Sequence, residues 1–223
     1  MITYVLTYDA PHKKTQDLLL RLKARGYDDV FVLATPWEER KNFKPLFPHR
    51  KFNTLDVTPS DLCKRLGYRC EKIEIEDLGN MPNNYILIGG AGMIPKDIAN
   101  RGNIINSHPA YLPYVRGLDS LKWAIFNGQP IGVTTHIISD ECDAGKLIRQ
   151  ELLSLYAWDT FHSVAYRQYE LEIDMLVDSI EDVTTSPLHE LSTTKSSPHR
   201  RMSHQDEVKM IKRFGQMIDK VGS

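Results

Sequence analysis

Cysteine is scarce in this 223-residue chain, which contains only Cys63, Cys70 and Cys142 and no Cys-x-x-Cys pair. Three scattered cysteines do not build a disulfide framework, and without paired spacing they do not predict a zinc site. They are typical of reduced thiols in a cytosolic protein.

Long apolar runs and an excess charge of one sign are also absent. No stretch reaches the ~18 consecutive apolar residues of a membrane span. The first residues, MITYVLTYDAPHKK, give a short strand-like run without the apolar core of a signal peptide. With 28 basic and 29 acidic residues the net charge is −1, so no overall field draws the chain to nucleic acid or to a membrane. We therefore expect a cytoplasmic protein that binds neither.

A dinucleotide fingerprint is incomplete in the segment IGGAGMI. Its glycines follow a later strand rather than the first one, and the third glycine of G-x-G-x-x-G is missing. The segment is typical of a tight strand-to-helix turn. The bare backbone over 89–93 also leaves room for a flat ligand to approach closely.

Hydrophobic patterning predicts alternating strands and helices. The predicted strands cover 2–7, 30–34, 72–76, 85–88, 103–105, 131–138 and 146–153. The predicted helices cover 15–25, 58–66, 95–101, 120–126, 160–180 and 206–221. A polar loop with three prolines is predicted over 36–53. Strand-helix-strand units form parallel sheets, so the expected fold class is α/β with a mostly parallel, twisted sheet flanked by helices.

Two polar clusters interrupt the apolar strands. In NIINSHPAYLPYVRG, Asn106 and His108 are two residues apart, so both side chains project from the same face of an extended chain. A histidine in that position is commonly structural. In THIISDECDAGKLI, however, His136, Asp140, Glu141 and Asp143 lie in a predicted turn between two strands. A carboxylate from this turn would hold His108 in one tautomer and raise its pKa, whereas Asp140 and Asp143 as Asx residues would only shape the turn.

These segments resemble two signatures of the folate-dependent formyltransferases. NSHPAYLPYVRG is similar to Asn-x-His-Pro-(x)-x-Leu-Pro-x-x-(Arg/Lys)-Gly, and GVTTHIISDECDAGKLI is similar to Gly-x-Thr-x-His-(x6)-Asp-x-Gly-x-x-Ile. The family includes glycinamide ribonucleotide transformylase, methionyl-tRNA formyltransferase and the sugar N-formyltransferases. The resemblance implies a Rossmann-like sheet, with a formyltransferase catalytic domain over 1–182 and a linker and C-terminal helix over 183–223.

The resemblance also implies a reaction and its residues. Asn106, His108 and Asp143 fall on the catalytic positions, and N10-formyltetrahydrofolate is the implied donor of a formyl group to an amine. Asn106 and a protonated His108 would stabilise charge on the formyl oxygen, and Asp143 would keep His108 protonated and help to remove the amine proton. No metal is required. The implied pterin contacts are Gly92, Met93, Ile94, Ser139, Asp140, Glu141 and Cys142.

Departures from the family pattern bear on the acceptor. The first loop, YDAPHKKT, lacks the glycines of a Gly-Ser phosphate loop, which disfavours glycinamide ribonucleotide. Roughly 70 residues follow the second signature, mostly helix and linker, rather than the C-terminal β-barrel of the tRNA enzymes, which disfavours tRNA. The chain is most similar in texture to the sugar N-formyltransferases. The expected contacts to a nucleotide-linked amino (dideoxy) sugar are His12, Lys13, Lys14, Tyr111, Tyr114 and Arg116.

The predicted function is therefore N-formylation of a nucleotide-linked amino sugar during synthesis of a surface glycan such as the O-antigen of lipopolysaccharide. The alternatives are a phosphoribosylglycinamide formyltransferase of purine synthesis and a folate- or nucleotide-sugar-binding protein without catalysis. The apolar stripe of the last predicted helix fits packing on its own domain or on a second subunit, so we expect a homodimer. The stripe consists of Val208, Ile211, Phe214 and Ile218.

Overall fold

The structure is a computed structural model that describes residues 2–37, 43–49, 54–185, 187–192 and 196–222. The predicted loop 36–53 therefore lies partly outside the described residues, as does part of the predicted linker. No helix within the described ranges is both long and apolar enough to cross a membrane.

The described residues form one eight-stranded sheet with the order β3-β2-β1-β4-β5-β6-β7-β8. The strands are β1 Thr3–Tyr8, β2 Val30–Thr35, β3 Arg69–Lys72, β4 Ile86–Ile88, β5 Ile104–His108, β6 Gly132–Ile137, β7 Lys146–Leu152 and β8 His189–Glu190. The pairs from β3 to β5 are parallel, whereas β6, β7 and β8 are added antiparallel. The mostly parallel α/β fold is confirmed.

Six α-helices flank the described sheet. They are α1 Lys13–Ala24, α2 Pro59–Leu66, α3 Lys96–Ala99, α4 Ser120–Asn127, α5 Phe161–Thr185 and α6 His204–Val221. Strand β1 is buried along its whole length and alternates between two cores. Val5 faces the core under α1 and α5, whereas Tyr4 and Leu6 face the core beside α3. Apolar side chains cover both faces of the sheet centre, so the polar groups of β5 stand out.

Two predicted strands are wrong in their bounds. The alternating segment 72–76 is not a strand: β3 ends at Lys72, and a 3-10 helix covers Ile75–Asn80. A reciprocal capping box between Glu74 and Asp77 starts that helix, and it outweighs the strand-like alternation. The strand predicted over 103–105 runs on to His108, because antiparallel β6 pairs with its second half.

The segment after α5 is more ordered than a linker. Helix α5 extends beyond the predicted end at 180, and β8 joins the sheet edge beside β7. Helix α6 packs on α4 around a fully buried ion pair between Lys122 and Glu207. Of the predicted stripe, Phe214 is buried and Ile211 and Ile218 pack beside it, whereas Val208 is exposed. The stripe therefore packs on its own chain.

The Lys122–Glu207 pair gives a stability prediction. Glu207→Gln leaves the Lys122 ammonium buried without a counter-charge, while the amide oxygen still accepts the Leu46 N–H that Glu207 binds at 2.7 Å. We expect the free energy of unfolding to fall by about 3–5 kcal/mol. The double variant Lys122→Met/Glu207→Gln removes the stranded charge and recovers most of that loss. Urea unfolding measures both, with Asp28→Asn in the exposed Lys23 pair as the control. Equal stability of the single and double variants would contradict the electrostatic explanation.

Candidate active site

The register between β5 and β6 sets the site. Asn106 pairs with His136 and His108 pairs with Thr134 across the two strands. Alternate residues of a strand share a face, so Asn106, His108 and His136 project from the same side. The predicted strand 103–105 would leave His108 beyond its end. In the structure His108 belongs to the last residue pair between β5 and β6, and this pairing fixes its backbone.

Asp143 reaches His108 from the loop after β6. The backbone of Asp143 has φ 48°, a left-handed conformation that aspartate tolerates better than most residues. Its Oδ1 lies 3.3 Å from His108 Nδ1, and its Oδ2 accepts the Gly117 amide at 2.6 Å. The two polar clusters of the sequence thus meet, and Asp143 does more than shape its turn.

The environment of Asp143 favours its charged form. Burial is the largest single influence and opposes ionisation, but the nearby His108, the Gly117 amide and His136 together lower the pKa of Asp143 below its ordinary value. Burial and the Asp143 charge raise the pKa of Cys142 to about 11, so this cysteine is a neutral thiol. The site offers a carboxylate held by hydrogen bonds and an imidazole oriented by it.

His136 was predicted in the turn but lies within β6, where it positions Asn106. Its Nδ1 donates to the Ala144 carbonyl at 2.9 Å, and Asn106 Nδ2 lies 3.4 Å from Nε2. Burial lowers the pKa of His136 to about 4, against the opposing charge of Asp143. A neutral imidazole that donates through Nδ1 accepts through Nε2, which turns the amide nitrogen of Asn106 towards β6.

Asn106, His108 and Asp143 line one cavity of about 460 Å³. This volume is within the range of small-molecule sites. His108 Nε2 is buried and has no hydrogen-bond partner among the described residues. An orphaned ring nitrogen in a cavity wall is a ready partner for a ligand atom. No cluster of metal-binding side chains occurs in the described part of the chain.

The predicted acceptor contacts divide into two groups. His12 and Lys14 line the cavity. Lys14 Nζ also pairs with Glu172 at 2.6 Å and donates to the Ser107 carbonyl at 3.3 Å, between the two polar residues of β5. Lys13 does not line the cavity and pairs with Asp17 on α1. Lys14 thus supports the backbone of β5 as well as facing the cavity.

Tyr111, Tyr114 and Arg116 are not among the cavity-lining residues. The two tyrosine rings pack against each other with centroids 6.3 Å apart. Arg116 is buried, and its Nε donates to the Cys142 carbonyl at 2.9 Å. The structure therefore places Arg116 behind the Asp143 loop, where it holds the backbone that carries the carboxylate.

The predicted pterin contacts flank the site without sharing one cavity. Cys142 lines the cavity with His108, whereas Gly92 and Met93 line a neighbouring cavity of about 250 Å³. Tyr8 lines both cavities. Ile94 packs beside the core near α3. Ser139, Asp140 and Glu141 lie in the loop before Asp143, where Asp140 approaches Lys96 at 3.7 Å. The two predicted segments thus approach each other at the edge of the site.

Sequence reasoning missed several cavity-lining residues. His49, Gly117, Asp119, His199 and Arg201 all line the cavity. Gly117 ends the first signature, and a glycine at that place was the available signal for a backbone role. His49, His199 and Arg201 lie in segments without periodicity, so no spacing pattern marks them.

Comparison with known proteins agrees with this geometry. Residues 80–180 match the sequence profile of the Formyl transferase family. This segment, slightly less than half of the chain, is similar to the formyl transferase family. The matched segment includes β5, β6 and the Asp143 loop.

The curated proteins that are similar to this chain are named for different formyl acceptors. A dTDP-4-amino-4,6-dideoxyglucose formyltransferase of Mycobacterium tuberculosis is 33% identical over 79 residues, 35% of this chain and 34% of that protein. The match thus spans about a third of the length of this curated relative. The methionyl-tRNA formyltransferase of Thermotoga maritima is 30% identical over 213 residues, 91% of this chain and 64% of that protein.

Solved structures share the fold. The N-formyltransferase from Helicobacter canadensis, in complex with folinic acid and dTDP-3-aminofucose, has a TM-score of 0.63 at 17% identity. The match covers 92% of this chain and 72% of that chain. The sugar N-formyltransferase from Shewanella sp. has a TM-score of 0.63 at 20% identity, over 96% of this chain and 87% of that chain. At these identities the likeness establishes the Rossmann-like formyltransferase fold.

The buried His136 makes stability depend on pH. Above its ordinary pKa of 6.5 the imidazole is neutral in both states, whereas between 6.5 and about 4 only the unfolded chain takes up the proton. The free energy of unfolding should therefore fall towards low pH by about 1.4 kcal/mol per pH unit from this residue. His136→Gln removes that slope, and the exposed control His162→Gln retains it. Urea unfolding between pH 4 and 7 measures the difference, and parallel curves for all three proteins would refute it.

Proposed function

We propose that the chain is an N-formyltransferase that moves a formyl group from N10-formyltetrahydrofolate to the amine of a nucleotide-linked amino sugar. The observation that carries the proposal is the arrangement of His108. Asp143 lies 3.3 Å from its Nδ1, its Nε2 has no partner in the described part of the chain, and the residue lines a cavity together with Asn106. The proposed setting is the cytoplasmic synthesis of a surface glycan, and the proposed assembly is a homodimer.

The residues present fit a formyl donor. The buried His108 Nε2 requires a polar partner, and Asn106 on the same strand face offers a second donor beside it. The neighbouring cavity at Gly92 and Met93, opposite the loop 139–142, is the proposed place of the pterin. The formyl-folate supplies an activated one-carbon unit, which the amine takes over.

The proposed chemistry uses three side chains. When the amine nitrogen bonds to the formyl carbon, negative charge develops on the formyl oxygen. A protonated His108 and the Asn106 amide stabilise that charge by hydrogen bonds. Asp143 enters the reaction as a carboxylate, because its environment lowers its pKa, and it holds the imidazolium in place. The proton that the attacking amine loses would pass to Asp143, directly or through water, and from Asp143 to the folate nitrogen as the bond from carbon to that nitrogen breaks.

The proposed acceptor rests on the residues that line the cavity and on the named acceptors of related proteins. Six of the residues that line the cavity carry or can carry positive charge, against two carboxylates, which fits a phosphate-bearing amine. The Mycobacterium tuberculosis relative is named for a dTDP-linked amino sugar. The Thermotoga maritima relative aligns over most of this chain, so methionyl-tRNA is the second candidate acceptor.

The experiment is a spectrophotometric assay of tetrahydrofolate formation from N10-formyltetrahydrofolate. The panel contains dTDP-, UDP- and GDP-linked amino sugars, glycinamide ribonucleotide and methionyl-tRNA. Turnover with a sugar nucleotide is the expected result. Turnover only with methionyl-tRNA or only with glycinamide ribonucleotide would keep the chemistry and replace the acceptor. Binding of folate or sugar nucleotide without turnover would favour the non-catalytic alternative.

Site variants test the assigned roles. We expect His108→Ala and Asp143→Asn to lower kcat by roughly two or more orders of magnitude, because each removes charge stabilisation in the transition state. Exposed residues of the same types provide the controls, His162→Ala on α5 and Asp28→Asn before β2. Circular dichroism establishes that the variants fold. Turnover near that of the parent in either site variant would remove that residue from the mechanism.

A further inference from the structure

The segment 196–203, here termed the arm, is fixed to the chain that follows β5. The His199 amide donates to the Arg116 carbonyl at 2.8 Å, and the Leu118 amide donates to the His199 carbonyl at 2.9 Å. Trp123 Nε1 donates to the Arg200 carbonyl at 2.9 Å. Its ring stacks on His199 with centroids 4.5 Å apart. These bonds hold the arm along one side of the cavity.

The arm passes closest to the chain that follows β5 at Gly117. Its φ of 88° lies in the left-handed region, and a Cβ at this position would lie 2.6 Å from the His199 nitrogen. Only glycine admits both the backbone angle and the close approach. The same residue donates its amide to Asp143, so the arm and the catalytic carboxylate are positioned together.

The charges around the cavity are unequal. Six lining residues are basic, whereas Asp119 and Asp143 are the acidic ones among the described residues that line it. The basic set consists of His12, Lys14, His49, His108, His199 and Arg201. Both carboxylates have partners: Asp143 binds His108 and the Gly117 amide, and Asp119 accepts the Met202 amide at 3.0 Å. Among the basic groups, Lys14 is itself paired with Glu172, and burial lowers the pKa of His199 below its ordinary value. His199 therefore meets a ligand as a neutral hydrogen-bonding group, and Arg201 supplies the charge of the arm.

We propose that His199 and Arg201 of the arm form a phosphate subsite that binds the diphosphate group of the acceptor. The proposal rests on the proposed function and specifies where the acceptor lies in the cavity. The arm and the N-terminal end of α1 both line this cavity, through His12 immediately before the helix and Lys14 in its first turn. The catalytic group His108 lines it too, so an amine on the sugar and a diphosphate on the arm fit a single ligand.

The Arg201 side chain is suited to anion binding because its contact with Asp119 is weak. Its Nη1 is 3.5 Å from Asp119 Oδ1, at the limit of a hydrogen bond, and about half of its side chain is exposed. Asp119 keeps the Met202 amide when the guanidinium turns towards a ligand. A guanidinium binds a phosphate with two parallel hydrogen bonds, which gives direction as well as charge. His199 is held flat by Trp123, so little rotamer entropy is lost when it binds.

Calorimetric titration with dTDP, UDP, GDP and inorganic pyrophosphate tests the subsite without any formyl transfer. We expect Arg201→Ala to weaken nucleotide binding by roughly 10- to 100-fold, the loss expected for a hydrogen bond to a charged group. The nucleotide affinity of Arg201→Lys should lie between that of the parent and that of Arg201→Ala. The matched control is Arg200→Ala, which changes the neighbouring exposed residue of the arm but leaves the carbonyl that binds Trp123. Ribose 5-phosphate distinguishes a monophosphate site from a diphosphate site.

The outcomes separate the subsite from the reaction. If Arg201→Ala raises the acceptor KM with little change in kcat, both proposals stand. If nucleotide binding depends on Arg201 but no acceptor is formylated, the subsite stands and the proposed function fails. If a sugar nucleotide is formylated with the same KM in Arg201→Ala, or if dTDP, UDP, GDP and pyrophosphate bind the parent no better than Arg201→Ala, the subsite is wrong. Thermal unfolding of each variant excludes loss of the fold as the cause.

Discussion

The hydrogen bond from the Gly117 amide to Asp143 Oδ2 joins the two halves of the site. Its acceptor lies in a loop after β6, and its donor lies in the chain after β5. The backbone of Asp143 is in an unfavourable left-handed conformation. Without this bond, its hydrogen-bond and ion-pair partners among the described residues would be the His108 imidazole and the weak thiol of Cys142. A buried carboxylate with so few donors would be driven towards its neutral form. The orientation of His108 depends on the carboxylate, and so on this amide.

Buried charge behind the site has a similar structural purpose. Lys14 and Glu172 form an ion pair beneath β5, and the ammonium also donates to the Ser107 carbonyl. An ion pair of this kind adds little net stability, because the desolvation of both groups opposes it. The pair instead fixes a position: Ser107 separates Asn106 from His108, so a fixed Ser107 carbonyl fixes the spacing of these two side chains. Helices α1 and α5 thus support β5 from its opposite face.

Local signals in the sequence predicted the elements that local interactions control. The helix 58–66 was predicted almost to the residue, since the Thr58 side chain caps the Asp61 amide and Gly67 ends the helix with φ 75°. Asn106, His108 and Asp143 could be singled out from the sequence because each lies in a short, continuous signature. Burial of Arg116 and the contact of His136 with Asn106 required the pairing of β5 with β6, which no local pattern encodes. The arm was predicted as part of a linker, because its partners lie about 80 residues away and its own composition has no period.

The distinction between local and long-range contacts also applies to the site. The residues of the proposed reaction are held by local contacts, whereas the residues that would meet an acceptor come from distant segments. Asn106, His108, His136 and Asp143 belong to two adjacent strands and one loop, and each is fixed by a neighbour in that unit. The walls that meet an acceptor come instead from α1, from the segment containing His49 and from the arm, which are remote from one another in sequence. Such walls can change without disturbing the strand pair, because few of their contacts reach into it. Lys14 and Gly117 are two exceptions. Lys14 lines the cavity and donates to the Ser107 carbonyl of β5. Gly117 touches both the carboxylate and the arm, so any change in the path of the arm is constrained by the geometry that holds Asp143. A shared reaction with different acceptors is the expected consequence of this construction.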